Sequence, residues 1–318
     1  MKKYWELVKN YFPIIGFVLV VVVFAIATGG DLLTAQNLQN LLNQVILTAL
    51  VSLGSVFVFG TGCFDMSMGG TLCMSAVVGG YVGIATGSIW LMALACLAVA
   101  LVLNVLKGLF ASYVEVPLFI VTIVLGSVLS ALVLVIMGDK TTIMLSEGIK
   151  PVVEFTQSQK TVLNGVSLGA YFLLCLFLFN FTRLGREIKL LGGNPVTFRQ
   201  TGLNPVRTKM LAFVVGAVGV ALAAFVVLMN TRTVSNTTGG SMGTDVMVAL
   251  VLGGMPLTGG PRSRISAGLI GAATITVLNS GLTMIGLEIA GVQICRAIIF
   301  LVVVYVASMT YRAKLLPR

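Results

Sequence analysis

The sequence predicts an all-α polytopic membrane protein, a single transmembrane domain over 1–318 with about ten transmembrane helices in two pseudo-repeats and both termini cytoplasmic. Three observations carry that expectation. The 318 residues are 58% hydrophobic and only 9% charged, whereas a soluble chain averages roughly 45–50% apolar and about 25% charged. Apolar runs able to cross a hydrocarbon core, about 20 residues each, recur along the whole chain. Basic residues between those runs fall mainly on one side.

The runs lie at about 13–28, 40–60, 69–87, 89–110, 117–137, 167–182, 210–230, 245–257, 265–285 and 291–311. The first follows Lys2, Lys3 and Lys9 and ends near Ala25-Ile26-Ala27, the grammar of a signal peptide. With at least eight spans behind it, it reads as an uncleaved first helix. Before the first run and after every even one stand Lys2, Lys3, Lys9, Lys107, Arg183, Arg186, Lys189, Arg199, Arg207, Lys209, Arg262, Arg264, Arg312, Lys314 and Arg318. The opposite side holds Lys140, Lys150, Lys160 and Arg232. Fifteen against four puts both termini in the cytoplasm and requires an even number of spans. The long outer segment, 138–166, balances Lys140, Lys150 and Lys160 with Asp139, Glu147 and Glu154, and reads as an extracytoplasmic loop, either a solvated connector or a partner contact.

Composition excludes several chemistries. There is no histidine, so a Ser-His-Asp relay and a His-based zinc site cannot be built. Cys63, Cys73, Cys96, Cys175 and Cys295 all lie in apolar stretches without C-x-x-C spacing, and read as small hydrophobes with no metal implied. The net charge of +10 is explained by cytoplasmic loops facing membrane lipid, not by nucleic acid. No G-x-x-x-x-G-K-[ST] occurs, so the chain brings no P-loop of its own.

Glycine breaks repeat in the two halves. Phe59-Gly60-Thr61-Gly62 leads through Asp65 to Gly69-Gly70 and a small-residue helix at 75–83; Leu252-Gly253-Gly254 leads to Gly259-Gly260 and another at 267–273. Paired glycine-interrupted spans point to a transporter built from repeats.

The segment 183–209 carries six basic residues against one acid, Glu187. Within it Asn194 has the place of an N-cap, Pro195 of the first helical residue and Gly202 of a left-handed stop. A second pair, Asn204-Pro205, opens the next membrane helix. Such a short capped helix is expected to expose Phe198 and Arg199 to the cytoplasm and to press into a groove on another protein; lying on lipid headgroups is the other reading.

These residues carry a resemblance. Gly185-Arg186-Glu187-Ile188, Leu191-Gly192-Gly193-Asn194-Pro195, Arg199 and Gly202-Leu203-Asn204 are similar to the cytoplasmic signature of the ribose/xylose/galactoside-type permeases of ABC importers. Val116-Pro117 with Phe119-Ile120-Val121-Thr122, Asp245 with Ala249-Leu250-Val251-Leu252-Gly253-Gly254 and Leu257-Thr258-Gly259-Gly260, and Leu278-Asn279-Ser280-Gly281-Leu282 with Gly286, Gln293 and Arg296 resemble three further family motifs, so the likeness spans about 37–305. The chain departs from the pattern at Cys63-Phe64-Asp65-Met66-Ser67, where Gly-Ile-Asp-Leu-Ser is usual, at Thr197 and Phe198 in place of alanines, at Gly243 in place of an acid, and at Pro261-Arg262-Ser263-Arg264, one residue longer than usual.

The resemblance implies a permease subunit for a monosaccharide or related polyol, with no cofactor of its own: ATP is bound by a partner. Cytoplasmic ABC ATPase subunits would dock through Gly185, Arg186, Gly192, Gly193, Asn194, Pro195, Phe198, Arg199 and Gly202. An extracytoplasmic solute-binding protein would deliver the ligand, and a second permease copy or homologue would complete the pathway. Small residues in the third span (Ser75, Ala76, Gly79, Gly80, Gly83) and the ninth (Gly268, Gly271, Ala272, Ala273) permit close helix approach, within the subunit or across that interface.

Candidate pathway residues are Gln44, Phe57, Asp65, Phe119, Thr122, Ser127, Asn279 and Ser280, with Ser52 as a further polar group. A sugar is held by hydrogen bonds and rings, and these helices supply both. Asp65 is read foremost as a cap on the following helix, Asp245 likewise, and Arg296 as a side chain snorkelling outward. Nucleosides, a furanosyl signal molecule and branched-chain amino acids remain alternatives within the ABC class. An autonomous ion-coupled carrier or channel is the alternative from another class, and would need intramembrane carboxylate pairs or gating charges.

Overall fold

The computed structural model describes residues 2–114, 116–148, 152–256 and 258–312; Glu115, Lys150, Leu257, Lys314 and Arg318 lie outside them. In chain order the elements are α1 (Lys2–Ala27), α2 (Ala35–Gly60), α3 (Met68–Thr86), α4 (Ile89–Tyr113), α5 (Leu118–Met137), β1 (Thr142–Met144), α6 (Gln157–Phe181), α7 (Arg183–Gly193), α8 (Pro195–Gln200), α9 (Pro205–Thr231), β2 (Thr233–Ser235), α10 (Met242–Leu252), α11 (Ile265–Met284) and α12 (Ile289–Arg312). Seven of these, α2 to α6, α9 and α11, are long and apolar enough to cross a membrane, and Pro13–Ala27, Met242–Leu252 and Ala290–Val302 are shorter apolar helices.

Several helices start ahead of their apolar runs, α1 at Lys2, α2 at Ala35 and α9 at Pro205, and two boundaries, at the start of α6 and the end of α10, change the segments around them. α6 begins at Gln157, ten residues before the apolar run, because Thr156 starts it: its backbone N–H donates to Gln159 Oε1 at 2.9 Å. The outer segment is correspondingly shorter, and it is not a bare connector. Its Thr142, Ile143 and Met144 pair antiparallel with Ser235, Val234 and Thr233, and Lys140 meets Glu147 at 2.5 Å. α10 stops at Leu252, five residues early, where Gly253 and a left-handed Gly254 (φ 86°) turn the chain.

Burial separates an inner bundle from an outer wall. α2 and α9 bury 72% of their most apolar stretch and α3 and α11 bury 67%, against 22% for α4 and α6 and 17% for α5. Lipid gives no hydrophobic drive for helix association, so the inner helices approach through small residues. Where α2 crosses α9, a Cβ on Gly54 would stand 2.9 Å from Gly216 Cα and one on Gly219 2.5 Å from Leu50 O. The Tyr171 hydroxyl of α6 enters that crossing and donates to Val215 O at 2.7 Å. Gly79 of α3 packs on Cys96 of α4, Gly268 of α11 on Ser52 of α2, and Gly271 on the Ala249 carbonyl of α10. The small-residue stripes on α3 and α11 thus serve packing inside the subunit. Cys63, Cys73, Cys96 and Cys175 are buried in the same way, Cys295 partly.

The Gly271 contact leaves no space for a Cβ against a backbone carbonyl, whereas nothing lies within 4 Å of a Cβ on Gly165. Gly271→Ala is expected to destabilise the chain by about 1–3 kcal/mol through overpacking, read as a lower melting temperature in detergent. Gly165→Ala should leave the melting temperature unchanged.

Candidate coupling junction and translocation elbow

α2 ends at Gly60, and the chain runs without helix through 61–67 before α3 begins. Gly62 takes a left-handed φ of 83°, and the Phe64 ring meets Phe59 edge-on at 4.5 Å. Asp65 is the centre of this elbow. Its Oδ1 accepts from Ser67 N at 2.8 Å and Ser67 Oγ at 2.6 Å, which fixes the residue before α3. It takes no N–H of α3's first turn among the described residues, so it does not cap the helix, contrary to the sequence reading. Its Oδ2 meets Lys107 Nζ at 2.6 Å, with side chains 0% and 1% exposed. Lys107 also donates to Thr71 Oγ1 at 3.0 Å, and Thr71 donates to Ser67 O at 2.9 Å.

Lys107 is therefore not a cytoplasmic loop charge. It lies six residues before the end of α4, about 9 Å along the helix, where an unpaired ammonium would cost at least about 2.5–3.5 kcal/mol. The second membrane acid is paired as well. Arg296 Nη1 of α12 donates to Asp245 Oδ1, and Ser241 Oγ donates to Oδ2 at 2.6 Å. Arg296 thus points to α10 and does not snorkel outward. The sequence carried part of this signal: two acids and two bases fall in apolar stretches, and lipid demands that they neutralise one another.

The elbow is held from two further sides. Met66 N donates to Thr122 Oγ1 on α5 at 3.0 Å, and the Met66 carbonyl abuts Gly243 of α10 where a side chain would begin. The acid usual in the family at that position has no room here.

Glycine motifs from three parts of the chain converge at Gly60. Its carbonyl accepts from Gly260 N at 3.0 Å. Gly192, near the end of α7, packs so closely on Gly60 O and Gly260 N that a Cβ is excluded, Gly259 does the same against Phe59 O, and Gly193 rests on the Pro261 ring. Gly185 turns against the Phe179 carbonyl, so α7 leaves α6 without a spacer. Thr208 Oγ1 of α9 donates to Glu187 Oε2 at 2.8 Å and ties α7 to the bundle.

α8 follows the expected grammar: Asn194 Oδ1 accepts from Val196 N and Thr197 N, Asn204 Oδ1 caps α9 the same way, and Gly202 is left-handed at φ 76°. Its orientation departs from that expected at Phe198, while Arg199 faces outward as expected. Phe198 is 0% exposed and belongs to the core, while Val196 is 66% exposed and forms the tip, with Pro195 and Arg199 also outward and Arg186 exposed on α7. The reason is elementary: on a short helix a ring gains more from the apolar bundle than from water.

Other pathway candidates scatter. Thr122 is fully buried at the elbow, and Phe119 lines a recess of ≈ 530 Å³ with Gly62, Phe64, Tyr113, Arg199 and Lys209. Phe57 is a core ring, edge-on to Phe179 at 5.3 Å, and is corrected from cavity to packing. Gln44 and Ser127 are exposed on α2 and α5, and Asn279 and Ser280 are half-buried on α11, with Asn279 Oδ1 unpartnered. No hydrogen bond joins these four to the elbow among the described residues.

Residues 37–307 match the family described as branched-chain amino acid transport system, permease component. The chain belongs to it. The permease is similar to the ribose import permease protein of Escherichia coli (strain K12), 28% identical over 91% of this chain and 90% of that one. It is similar to the xylose transport system permease protein of Haemophilus influenzae (strain ATCC 51907 / DSM 11121 / KW20 / Rd), at 25% over 93% and 95%, and to the galactose/methyl galactoside import permease protein of Escherichia coli (strain K12), at 26% over 94% of each. Its fold matches that of a metal-chelate type ABC transporter solved in an inward-facing conformation, with a TM-score of 0.54 at 18% identity over 93% of this chain and 98% of that one. The permease is a multi-pass membrane protein and a transport component.

The burial of Phe198 makes its removal a core truncation and not the loss of an exposed contact. In the isolated permease Phe198→Ala should cost about 3–5 kcal/mol as a core truncation and lower the melting temperature. Val196→Ala, at the exposed tip, should not.

Proposed function

We propose that this permease is the membrane-spanning subunit of an ATP-driven importer for a monosaccharide or related polyol in the bacterial cytoplasmic membrane. The carrying observation is the Gly60–Gly192–Gly260 junction, which seats the cytoplasmic α7–α8 segment directly on the end of an inner-bundle helix. A partner that moves α8 therefore acts on α2 through backbone. ATPase subunits bind ATP and press on the α8 tip, formed by Pro195, Val196 and Arg199; Gly185, Gly192, Gly193, Asn194 and Gly202 shape the mount, Phe198 anchors it and Arg186 flanks it.

The relatives named as ribose, xylose and galactose permeases support a sugar. Thr122, Ser127, Asn279 and Ser280 offer neutral hydrogen-bonding groups, and Phe119 offers a ring. The pairing of Asp65 with Lys107 and Asp245 with Arg296 leaves neither acid free for ion coupling, which weighs against an autonomous carrier. α5 is the least buried of the long helices and exposes Phe119, Ile123, Ser127 and Ser130; this face meets a second permease copy or homologue. Ten helices cross the membrane in two pseudo-repeats, with the three shorter apolar helices counted in. Both termini are cytoplasmic, with fourteen basic residues inside against four outside once Lys107 is set aside. A solute-binding protein docks on the outer side.

Reconstituted alone in liposomes, the permease should neither accumulate sugar nor hydrolyse ATP. With its ATPase, a second permease copy and a loaded binding protein it should do both, and proton- or sodium-driven uptake by the chain alone would sink the importer reading. Val196→Asp should weaken ATPase retention in a pull-down while the permease stays folded; undiminished retention would move the contact elsewhere. In intact cells, Arg199→Cys should resist an impermeant thiol reagent and Lys150→Cys should react, and the reverse pattern would invert the topology.

A further inference from the structure

The 61–67 elbow touches both ends of the proposed machinery. On one side Gly60, the last residue of α2, is packed against Gly192 of α7 and Gly260. Six residues later Met66 is bonded to Thr122 of α5 and abuts Gly243 of α10. No regular helix stiffens the stretch between, and a void of ≈ 10 Å³ lies beside it among Ser55, Phe59, Cys63, Val246 and Leu250. An irregular segment with slack at its side would absorb a displacement arriving at Gly60 unless some point on it were fixed.

The Asp65–Lys107 pair supplies the fixed point. Lys107 reaches from the middle of α4's last turns to hold both the elbow, through Asp65 Oδ2, and the first turn of α3, through Thr71, whose hydroxyl in turn holds Ser67 O. Asp65 Oδ1 closes the loop on Ser67 N and Oγ. Every contact of this cluster is inside the protein, where low dielectric makes a satisfied network stiff.

We propose that Lys107 is a positioning residue for transport: through Asp65 it pins the elbow, so that movement of the α7–α8 segment at Gly60 reaches Thr122 on α5 and Gly243 on α10. Lys107 touches neither the α8 tip nor the exposed face of α5. The proposal rests on the importer reading and adds to it a residue in no contact with substrate or ATPase.

A purely structural pair makes a different forecast. Lys107→Met or Asp65→Asn alone strands one buried charged group and should lower the yield of folded permease, whatever the role. Lys107→Met combined with Asp65→Asn leaves no lone charge and keeps the side-chain volumes, so the double variant should fold. In proteoliposomes with ATPase and loaded binding protein, the double variant should keep basal ATP hydrolysis. Its stimulation by loaded binding protein should fall roughly fivefold or more, the size of an ordinary coupling between sites, and uptake should fall with it. Thr71→Val, which removes one of the two grips without stranding a charge, should lose stimulation in the same direction and serves if the double variant does not fold. Wild-type stimulation and uptake in the folded double variant, or in Thr71→Val where that one decides, would reduce the pair to a packing device. Absence of ATP-driven uptake in the wild type would count against the importer reading itself, a separate outcome.

Discussion

The ammonium of Lys107 and the carboxylate of Asp65 share a site that water does not reach, and the interrupted backbone between α2 and α3 depends on them. Hydrocarbon tolerates irregular backbone only where protein encloses it and its polar groups find partners. Asp65 meets that demand twice, accepting from Ser67 with one oxygen and neutralising Lys107 with the other. The second buried acid obeys the same demand for partners: Asp245, in the first turn of α10, takes Arg296 and Ser241. Each of these two buried acids is thus paired with one base from another helix, Asp65 with Lys107 of α4 and Asp245 with Arg296 of α12.

Glycine does the complementary work. Gly60, Gly192, Gly259 and Gly260 come from three distant stretches, and their backbones touch because none carries a Cβ. A contact of this kind is stiff, since backbone cannot change rotamer to relieve it. It explains why the Gly-Gly pair preceding the capped helix belongs with the glycine motifs of both halves: the three are parts of one joint. Gly243 follows the same logic. Its departure from the family pattern is compensated by the close approach of Met66, so it alters the local packing of α10 while leaving the paired Asp245 in place.

α8 shows how correct local grammar leaves direction undecided. Asn194, Pro195 and Gly202 define where the helix starts and stops, and they do so as their chemistry requires. Nothing in that grammar says which side faces the bundle. Phe198, replacing a smaller family residue, turns inward and anchors α8 to the bundle, which leaves Val196 and Arg199 exposed. In the importer reading proposed above, a small aliphatic tip and a cation would make a more modest docking surface than an aromatic ring, and coupling would then rest on the rigidity of the mount more than on the strength of the contact.

The sequence by itself determined the class of the molecule, the helices and the caps, because these follow from the apolar length a bilayer demands and from interactions between residues a few positions apart. It also determined the family, through motifs that each occupy a short stretch. Only the tertiary structure decided which partner each buried charge takes, which glycines meet and which face of α8 is free. Those are relations between residues 21 to 200 positions apart, such as Glu187 with Thr208, Asp65 with Lys107 and Gly60 with Gly260. The acids and bases at membrane depth had to be neutral in sum, and that much was legible in the sequence. Their pairing was not, because it depends on which helices pack together, and in lipid that choice is made by the fit of small residues on facing surfaces.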